Sequence, residues 1–145
     1  MRKESGEMLT LLLKKINEGK IISSEMFSKM DIDELLDLRD ESEFDSEWMR
    51  VFNQIEDSSY SGADKQIIDD IRKESYLKAY EASNSSEIAS CVSDDFDLIA
   101  RAYVLSVNDC WLNSVMLIYA SNIFPCGKIK LININIDEAF QKIIE

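Results

Sequence analysis

The chain contains only four glycines and one proline among its 145 residues, and this scarcity restricts its fold more than any other feature. Proline breaks helices, and glycine supplies many of the tight turns that join strands. Helices therefore meet few forced stops here, whereas an all-β fold would lack turn residues. The apolar content of 46% is enough for one continuous core at this length. We predict a mainly α, single-domain helical bundle that covers residues 1–145 and contains about six to eight helices.

The N-terminal half has apolar residues at helical spacing, interrupted by residues that favour helix N-caps. A first helix is predicted from about Glu4 to Glu18, with Gly19 as its left-handed C-cap. Residues 57–62 are rich in serine and predict a loop. Further helices are predicted to begin at three N-cap positions, which are Ser23 or Ser24, Asp31 or Asp33, and Ser46.

The C-terminal half has longer apolar stretches, and Pro125 marks where its helices must end. The most hydrophobic helix is predicted to begin near Asn108 or Asp109 and to lie at the centre of the fold. The earlier predicted helices run from Ala63 to Ala82, from Ser86 to about Val92, and onward from an N-cap at Ser93.

The pattern changes at residues 129–136, which partly alternate and are rich in isoleucine. Such a segment predicts one short C-terminal β-strand or hairpin. A lone strand has unpaired backbone groups, so it needs a partner. Three partners remain open, namely residues 20–23, a second copy of the chain in a homodimer, and another protein. Asp137 is then predicted to cap a short terminal helix.

The chain lacks histidine and a glycine-rich loop, on which many catalytic sites depend. The chain has no histidine, which excludes Ser–His and Cys–His nucleophiles, and its four glycines lie too far apart for a phosphate-binding loop. Its three cysteines are widely spaced, so we predict small buried hydrophobes in a reducing compartment and no zinc site. We therefore predict that the protein is not an enzyme and uses no cofactor.

Three neighbouring carboxylates, Asp94, Asp95 and Asp97, are the one cluster that suggests a metal-dependent acid–base site. Acidic residues also favour the first turn of a helix, where they meet the positive end of the helix dipole. We prefer this second interpretation because the glycine-containing spacing of a calcium loop is absent. No metal site is predicted.

Charge and hydropathy limit where the protein acts and what it binds. No signal peptide is evident, and no apolar stretch approaches the ~20 residues that span a bilayer. We therefore predict a cytoplasmic protein. The net charge of −12 argues against direct contact with nucleic acid or an anionic membrane, since each phosphate contact needs a basic side chain. Its partners are expected to be basic.

The negative charge is concentrated between residues 25 and 57, where twelve acidic residues meet only three basic ones and account for nine of the twelve net charges. Such a surface steers a basic partner toward it. The alternative is the solvated face of ordinary amphipathic helices, with the tryptophan in the core. The candidate partner-binding residues are Asp31, Asp33, Glu34, Asp37, Asp40, Glu41, Glu43, Asp45, Glu47 and Trp48.

The C-terminal half carries a resemblance to a known group of proteins. Residues 86–103, followed by the Asp-Cys-Trp-Leu-Asn run at residues 109–113, Tyr119 and Phe124-Pro125, resemble small immunity proteins of bacterial polymorphic-toxin and contact-dependent growth inhibition systems. The resemblance covers about half of the chain and rests on pattern.

The resemblance implies a function without catalysis. An immunity protein binds the C-terminal domain of its cognate toxin, often a basic nuclease, and neutralises it by occluding its active or substrate-binding surface, without a cofactor. Interfaces do not transfer between such proteins, so the resemblance assigns no binding residue. The alternative from another class is a small cytoplasmic adaptor or chaperone-like interaction module without a toxin partner.

Overall fold

The computed structural model describes residues 5–145, and their regular structure is entirely helical. A 3-10 turn, Ser24–Phe27, lies between the first two α-helices. No helix in this described range is long and apolar enough to cross a bilayer. The seven α-helices are α1 Ser5–Asn17, α2 Ile32–Asp40, α3 Ser42–Ile55, α4 Gly62–Ser83, α5 Ser86–Leu105, α6 Cys110–Ala120 and α7 Ile136–Ile144.

The predicted end of the first helix is confirmed in detail. Gly19 has φ +72°, its amide donates to the Ile16 carbonyl at 3.0 Å, and the Lys20 amide donates to the Lys15 carbonyl at 3.2 Å. These two bonds form a Schellman C-cap, which needs a left-handed residue that glycine adopts without strain. The predicted start at Glu4 falls outside the described residues.

Helix α5 is the centre of the fold. It packs along α4, and α1, α2, α3 and α7 also contact it. Twelve of its twenty residues are buried, including Val92, Phe96, Ile99 and Val104. Helix α6, predicted to be central, is also mostly buried, and it packs against α7. The core is therefore built around two apolar helices from the C-terminal half.

Two helices predicted on either side of Ser93 are in fact one continuous helix, α5. The N-cap lies upstream at Ser85, whose hydroxyl accepts the Ile88 amide at 3.2 Å. The Ser93 hydroxyl instead donates to the Ser90 carbonyl at 3.1 Å, and its side chain is buried. Serine bonds its own helix in this way without ending it, so a good N-cap residue was mistaken for a boundary.

Three other predicted boundaries also moved. Helix α3 begins at Ser42, four residues before the predicted cap at Ser46. The helix predicted after Ser23 or Ser24 is only the short 3-10 turn. Helix α7 is capped by Asn135, whose side chain accepts the Glu138 amide at 2.9 Å, and not by Asp137.

The prediction that the cysteines are buried is wrong at Cys110, which is exposed.

The predicted C-terminal strand at residues 129–136 is wrong, because the described residues contain no strand. The segment is irregular, with a tight turn in which the Ile134 amide donates to the Ile132 carbonyl at 3.0 Å, and it pairs with side chains of α6. The Ile132 amide donates to the Ser114 hydroxyl at 2.9 Å, and the Asn113 amide group donates to the Ile134 carbonyl at 2.9 Å. Polar side chains on a helix thus satisfy backbone groups that the sequence pattern assigned to a partner strand.

Asn113 is expected to anchor this segment. Its buried side chain also donates to the Asn108 side chain at 2.8 Å. Replacing Asn113 by alanine leaves the Ile134 carbonyl without its donor and the Asn108 side-chain oxygen with only the Ile136 amide, so it should lower the free energy of unfolding by about 1–3 kcal/mol in urea denaturation. The matched control is Asn133→Ala, an exposed position in the same segment, which should change stability by less than about 0.5 kcal/mol. Equal effects of the two variants would show that Asn113 is not an anchor.

Candidate binding surface

Helix α2 presents its acidic residues on one face. Asp33, Asp37 and Asp40 follow each other at three- or four-residue intervals, which places them along one side of a helix. All three are exposed, as is Glu34 beside them. Leu35 lies on the opposite side and is buried. The hydrophobic stripe therefore holds α2 on the core while its carboxylates face solvent.

Arg39 is buried, and the surface of α2 and α3 therefore lacks its positive charge. It is the single basic residue between positions 31 and 47, and its side chain is only 8% exposed. Eight of the nine acidic residues in the same range are exposed, and the ninth, Glu47, is half-buried. The exposed charged residues of this stretch are thus all acidic.

Asp95 of α5 holds Arg39 inside the protein. The guanidinium donates two hydrogen bonds to the Asp95 carboxylate, at 2.7 and 2.8 Å. The Trp48 indole donates to the same carboxylate at 2.9 Å, and the Tyr119 hydroxyl donates to it at 2.6 Å. Four donors from α2, α3 and α6 therefore converge on one carboxylate that is almost fully buried.

Aromatic rings enclose this network, whose members are Arg39, Trp48, Asp95 and Tyr119. The guanidinium carbon of Arg39 lies 4.2 Å from the ring centre of Phe44 and 5.2 Å from that of Phe124. Both rings are buried, so the cation is desolvated against their faces. The arrangement ties α2 and α3 to the central helix.

The buried Asp95 carboxylate determines the protonation of the two titratable groups beside it, Arg39 and Tyr119. Burial alone would lower the pKa of Arg39, but the Asp95 carboxylate outweighs it, so this pKa lies above its usual value. Burial and the same carboxylate raise the pKa of Tyr119 well above its usual value. Tyr119 therefore stays protonated at neutral pH and keeps donating to Asp95.

A small cavity next to the network brings some of the predicted residues together. Asp40, Asp45 and Trp48 line a space of about 200 Å³, with Asp94 on its α5 side. Met49, also in the lining, is 40% exposed. A tryptophan and an exposed methionine, which are residue types enriched at protein interfaces, therefore lie beside exposed carboxylates.

The remaining predicted residues lie apart from this cavity. Helical geometry places Glu43 and Glu47 on the other side of the buried stripe of α3 from Asp45. Glu47 accepts from Arg50 at 3.1 Å, and Arg50 also donates to Asp109 at 2.7 Å. Asp31 and Glu41, both exposed, stand at the N-terminal caps of α2 and α3. The acidic surface is therefore broad, and only part of it converges.

Trp48 is both a packing residue and a surface residue, the two alternatives that the sequence left open. Its ring stacks on Phe52 with centres 5.5 Å apart, and its indole is bonded to Asp95. The side chain is nevertheless only half-buried and contributes to the cavity. It belongs to the structure of α3 and to the surface at once.

The first-turn interpretation of Asp94, Asp95 and Asp97 is wrong, because all three lie in the middle of α5. Asp95 enters the buried network, whereas Asp94 and Asp97 share Arg72 as a partner, and Asp97 also lies 3.5 Å from Arg101. Within residues 5–145 no three histidine, cysteine, aspartate or glutamate side chains come together as metal ligands.

Sequence reasoning missed the buried partners Arg39, Asp95 and Tyr119. Signals for them existed. Arg39 is a lone base in an acidic run, and it falls four residues after Leu35 on the apolar side of α2. Asp95 lies three residues after Val92 and four before Ile99, hence on the buried side of α5. A charge on an apolar stripe predicts an internal ion pair.

Comparison of the sequence with known proteins identifies a family. No curated protein matches the chain. The family described as immunity protein PIM1 matches residues 11–126, from the middle of α1 through the proline that follows α6. That range contains the acidic surface, the buried network and most of the core. Its match extends well beyond the C-terminal half on which the resemblance rested, and the chain therefore belongs to the immunity protein PIM1 family.

Proposed function

We propose that this protein binds the C-terminal domain of a cognate toxin, a basic nuclease, and blocks its active or substrate-binding surface with the acidic surface of α2 and α3. Membership of an immunity family supports a toxin-neutralising role. The protein would act as one domain in the cytoplasm of the cell that makes the toxin. It performs no catalysis and needs no cofactor in this role.

One observation carries the choice of surface. The single base between residues 31 and 47 is buried against Asp95, which leaves only acidic charges exposed in this stretch. A nuclease must present basic groups to its phosphate substrate, and an acidic protein competes for those groups. The buried ion pair thus removes a positive charge that would weaken the mimicry.

The geometry also supports different roles for the carboxylates and for Trp48 in toxin binding. Exposed carboxylates at long range accelerate the encounter with a basic partner. The cavity beside Trp48, which stays fixed by its bond to Asp95, offers a pre-organised apolar contact after docking. We expect the carboxylates to control the association rate and Trp48 to control the dissociation rate.

Charge reversal on α2 tests the surface directly. The double variant Asp37→Lys and Glu41→Lys should slow association with the toxin domain encoded by the adjacent gene by about tenfold or more at low salt. Both side chains are exposed, so the fold should be unaffected. Stopped-flow mixing at several salt concentrations gives the rate, and co-expression with the toxin reports protection of the cell.

A matched control separates local from net charge. Glu81→Lys and Glu87→Lys change the net charge equally at exposed positions on α4 and α5. This variant should alter the rate by about twofold or less, because screening confines charge effects to roughly 10 Å. If both double variants slow association equally, net charge and not this surface steers the toxin. If neither does, another face binds.

A further inference from the structure

A second surface with the opposite character lies on the other side of α2. A groove of about 720 Å³ runs between the 3-10 turn, the start of α2, the end of α6 and the segment at residues 121–130. It is more than three times the size of the cavity of about 200 Å³ beside Trp48. Its lining contains none of the exposed carboxylates of α2 and α3, and it shares Phe124 with the enclosure of Arg39.

The walls of the groove are apolar. Met26, Phe124 and Ile129 form buried parts of its lining, whereas Ile123 is 55% exposed and Met30 is 41% exposed. Methionine side chains adapt to differently shaped partners and are frequent on peptide-binding surfaces. Two large exposed apolar side chains beside a concave surface mark a place where a further apolar group gains by leaving water.

The rim of the groove is basic in a protein of net charge −12. Lys29, Lys128 and Lys130 all line it and are exposed. None of the three forms an ion pair with any residue in the described range 5–145. The single carboxylate in the lining belongs to Glu25, which accepts from Asn122 at 3.4 Å. Three lysines against one glutamate therefore leave the lining with a net positive charge.

We infer that this groove binds a segment of a partner protein that carries large apolar side chains flanked by aspartate or glutamate. Apolar side chains would fill the space between Met30 and Ile123, and flanking carboxylates would meet the free lysines of the rim. The inference goes beyond the proposed function, since an acidic segment is the opposite of what the α2 and α3 surface attracts.

Charge also decides against a symmetric pair of this chain. In a two-fold dimer the same patch faces itself, so the lysines Lys29, Lys128 and Lys130 would face the same three lysines of the second copy. Like charges brought together at an interface cost several kcal/mol. An acidic partner segment avoids this repulsion and uses the exposed apolar side chains as well.

Synthetic peptides test the groove on the full chain. The probe is a short fluorescein-labelled amphipathic peptide of leucine, phenylalanine and glutamate, and its matched partner has lysine at every glutamate. Fluorescence anisotropy should show the glutamate peptide binding at least about tenfold more tightly than the lysine peptide. The double variant Lys128→Glu and Lys130→Glu should abolish that preference, and Ile123→Ser should weaken binding several-fold.

The control variant is Lys73→Glu, an exposed lysine on α4 outside the groove, which should leave binding of the glutamate peptide within about twofold. Circular dichroism confirms that each variant is folded. The inference fails if the glutamate peptide does not bind at millimolar concentration, if the lysine peptide binds equally well, or if charge reversal at the rim has no effect. Sedimentation that shows a dimer dissociated by Ile123→Ser would assign the groove to a second copy and also overturn it.

Discussion

Replacing Asp95 by alanine is expected to lower the free energy of unfolding by about 3–5 kcal/mol, because it leaves the Arg39 cation buried without its counterion. The same change removes the acceptor for the Trp48 indole and the Tyr119 hydroxyl. Both donors then lose their partner in a region that water reaches poorly. Urea denaturation followed by far-ultraviolet circular dichroism measures the change.

The neighbouring carboxylate supplies the control. Asp94→Ala removes an ion pair with Arg72 in which both side chains are more than 40% exposed, so the loss should be about 1 kcal/mol or less. Adding Arg39→Met to Asp95→Ala should recover part of the lost stability, since it deletes the uncompensated charge. If Asp95→Ala costs no more than Asp94→Ala, the network does not stabilise the fold.

Sequence reasoning predicted most helices correctly because their signals are local. Gly19 ends α1 with the predicted left-handed C-cap, and Asp109 begins α6 by accepting the Leu112 amide at 2.9 Å. Such features depend on a few neighbouring residues. The break between α4 and α5 was also predicted, and there Asn84 adopts a left-handed conformation with φ 57°.

The errors share a different cause, which is distance along the chain. Arg39 and Asp95 are 56 residues apart, so no local pattern joins them. The backbone near Ile132 is hydrogen-bonded to Ser114 on α6, eighteen residues away, and not to a strand. Alternating hydrophobicity does not say which groups satisfy the backbone of a segment.

The acidic surface depends on both a local pattern and a contact between residues distant in sequence. Its location was evident from composition, whereas the absence of a compensating base depended on where Arg39 points. The basic groove was not predicted at all. Lys29 and Lys128 lie 99 residues apart and become neighbours only when the segment after α6 returns to α2. That return is visible in the bond from the Gly127 amide to the Leu38 carbonyl at 3.2 Å.

Helix α7 raises a separate question, because it lies outside residues 11–126, the range that matches the family. Its buried residues nevertheless join the main core. Phe140 is fully buried and stacks on Tyr103 of α5 with ring centres 4.0 Å apart. Helix α7 also contacts α1 and packs along α6. The helix is therefore expected to unfold together with the rest of the protein.

Phe140→Ala tests this expectation. Loss of a fully buried ring leaves a cavity, so the free energy of unfolding should fall by about 3–5 kcal/mol in a single cooperative transition. The control Gln141→Ala alters the next residue, which is exposed, and should change stability by less than about 0.5 kcal/mol. Tryptophan fluorescence from Trp48 in α3 and Trp111 in α6, together with circular dichroism, should give coincident urea curves for both variants. Two separated transitions, with α7 melting first and the core unchanged, would instead make the terminal helix an independent attachment to the family's common fold.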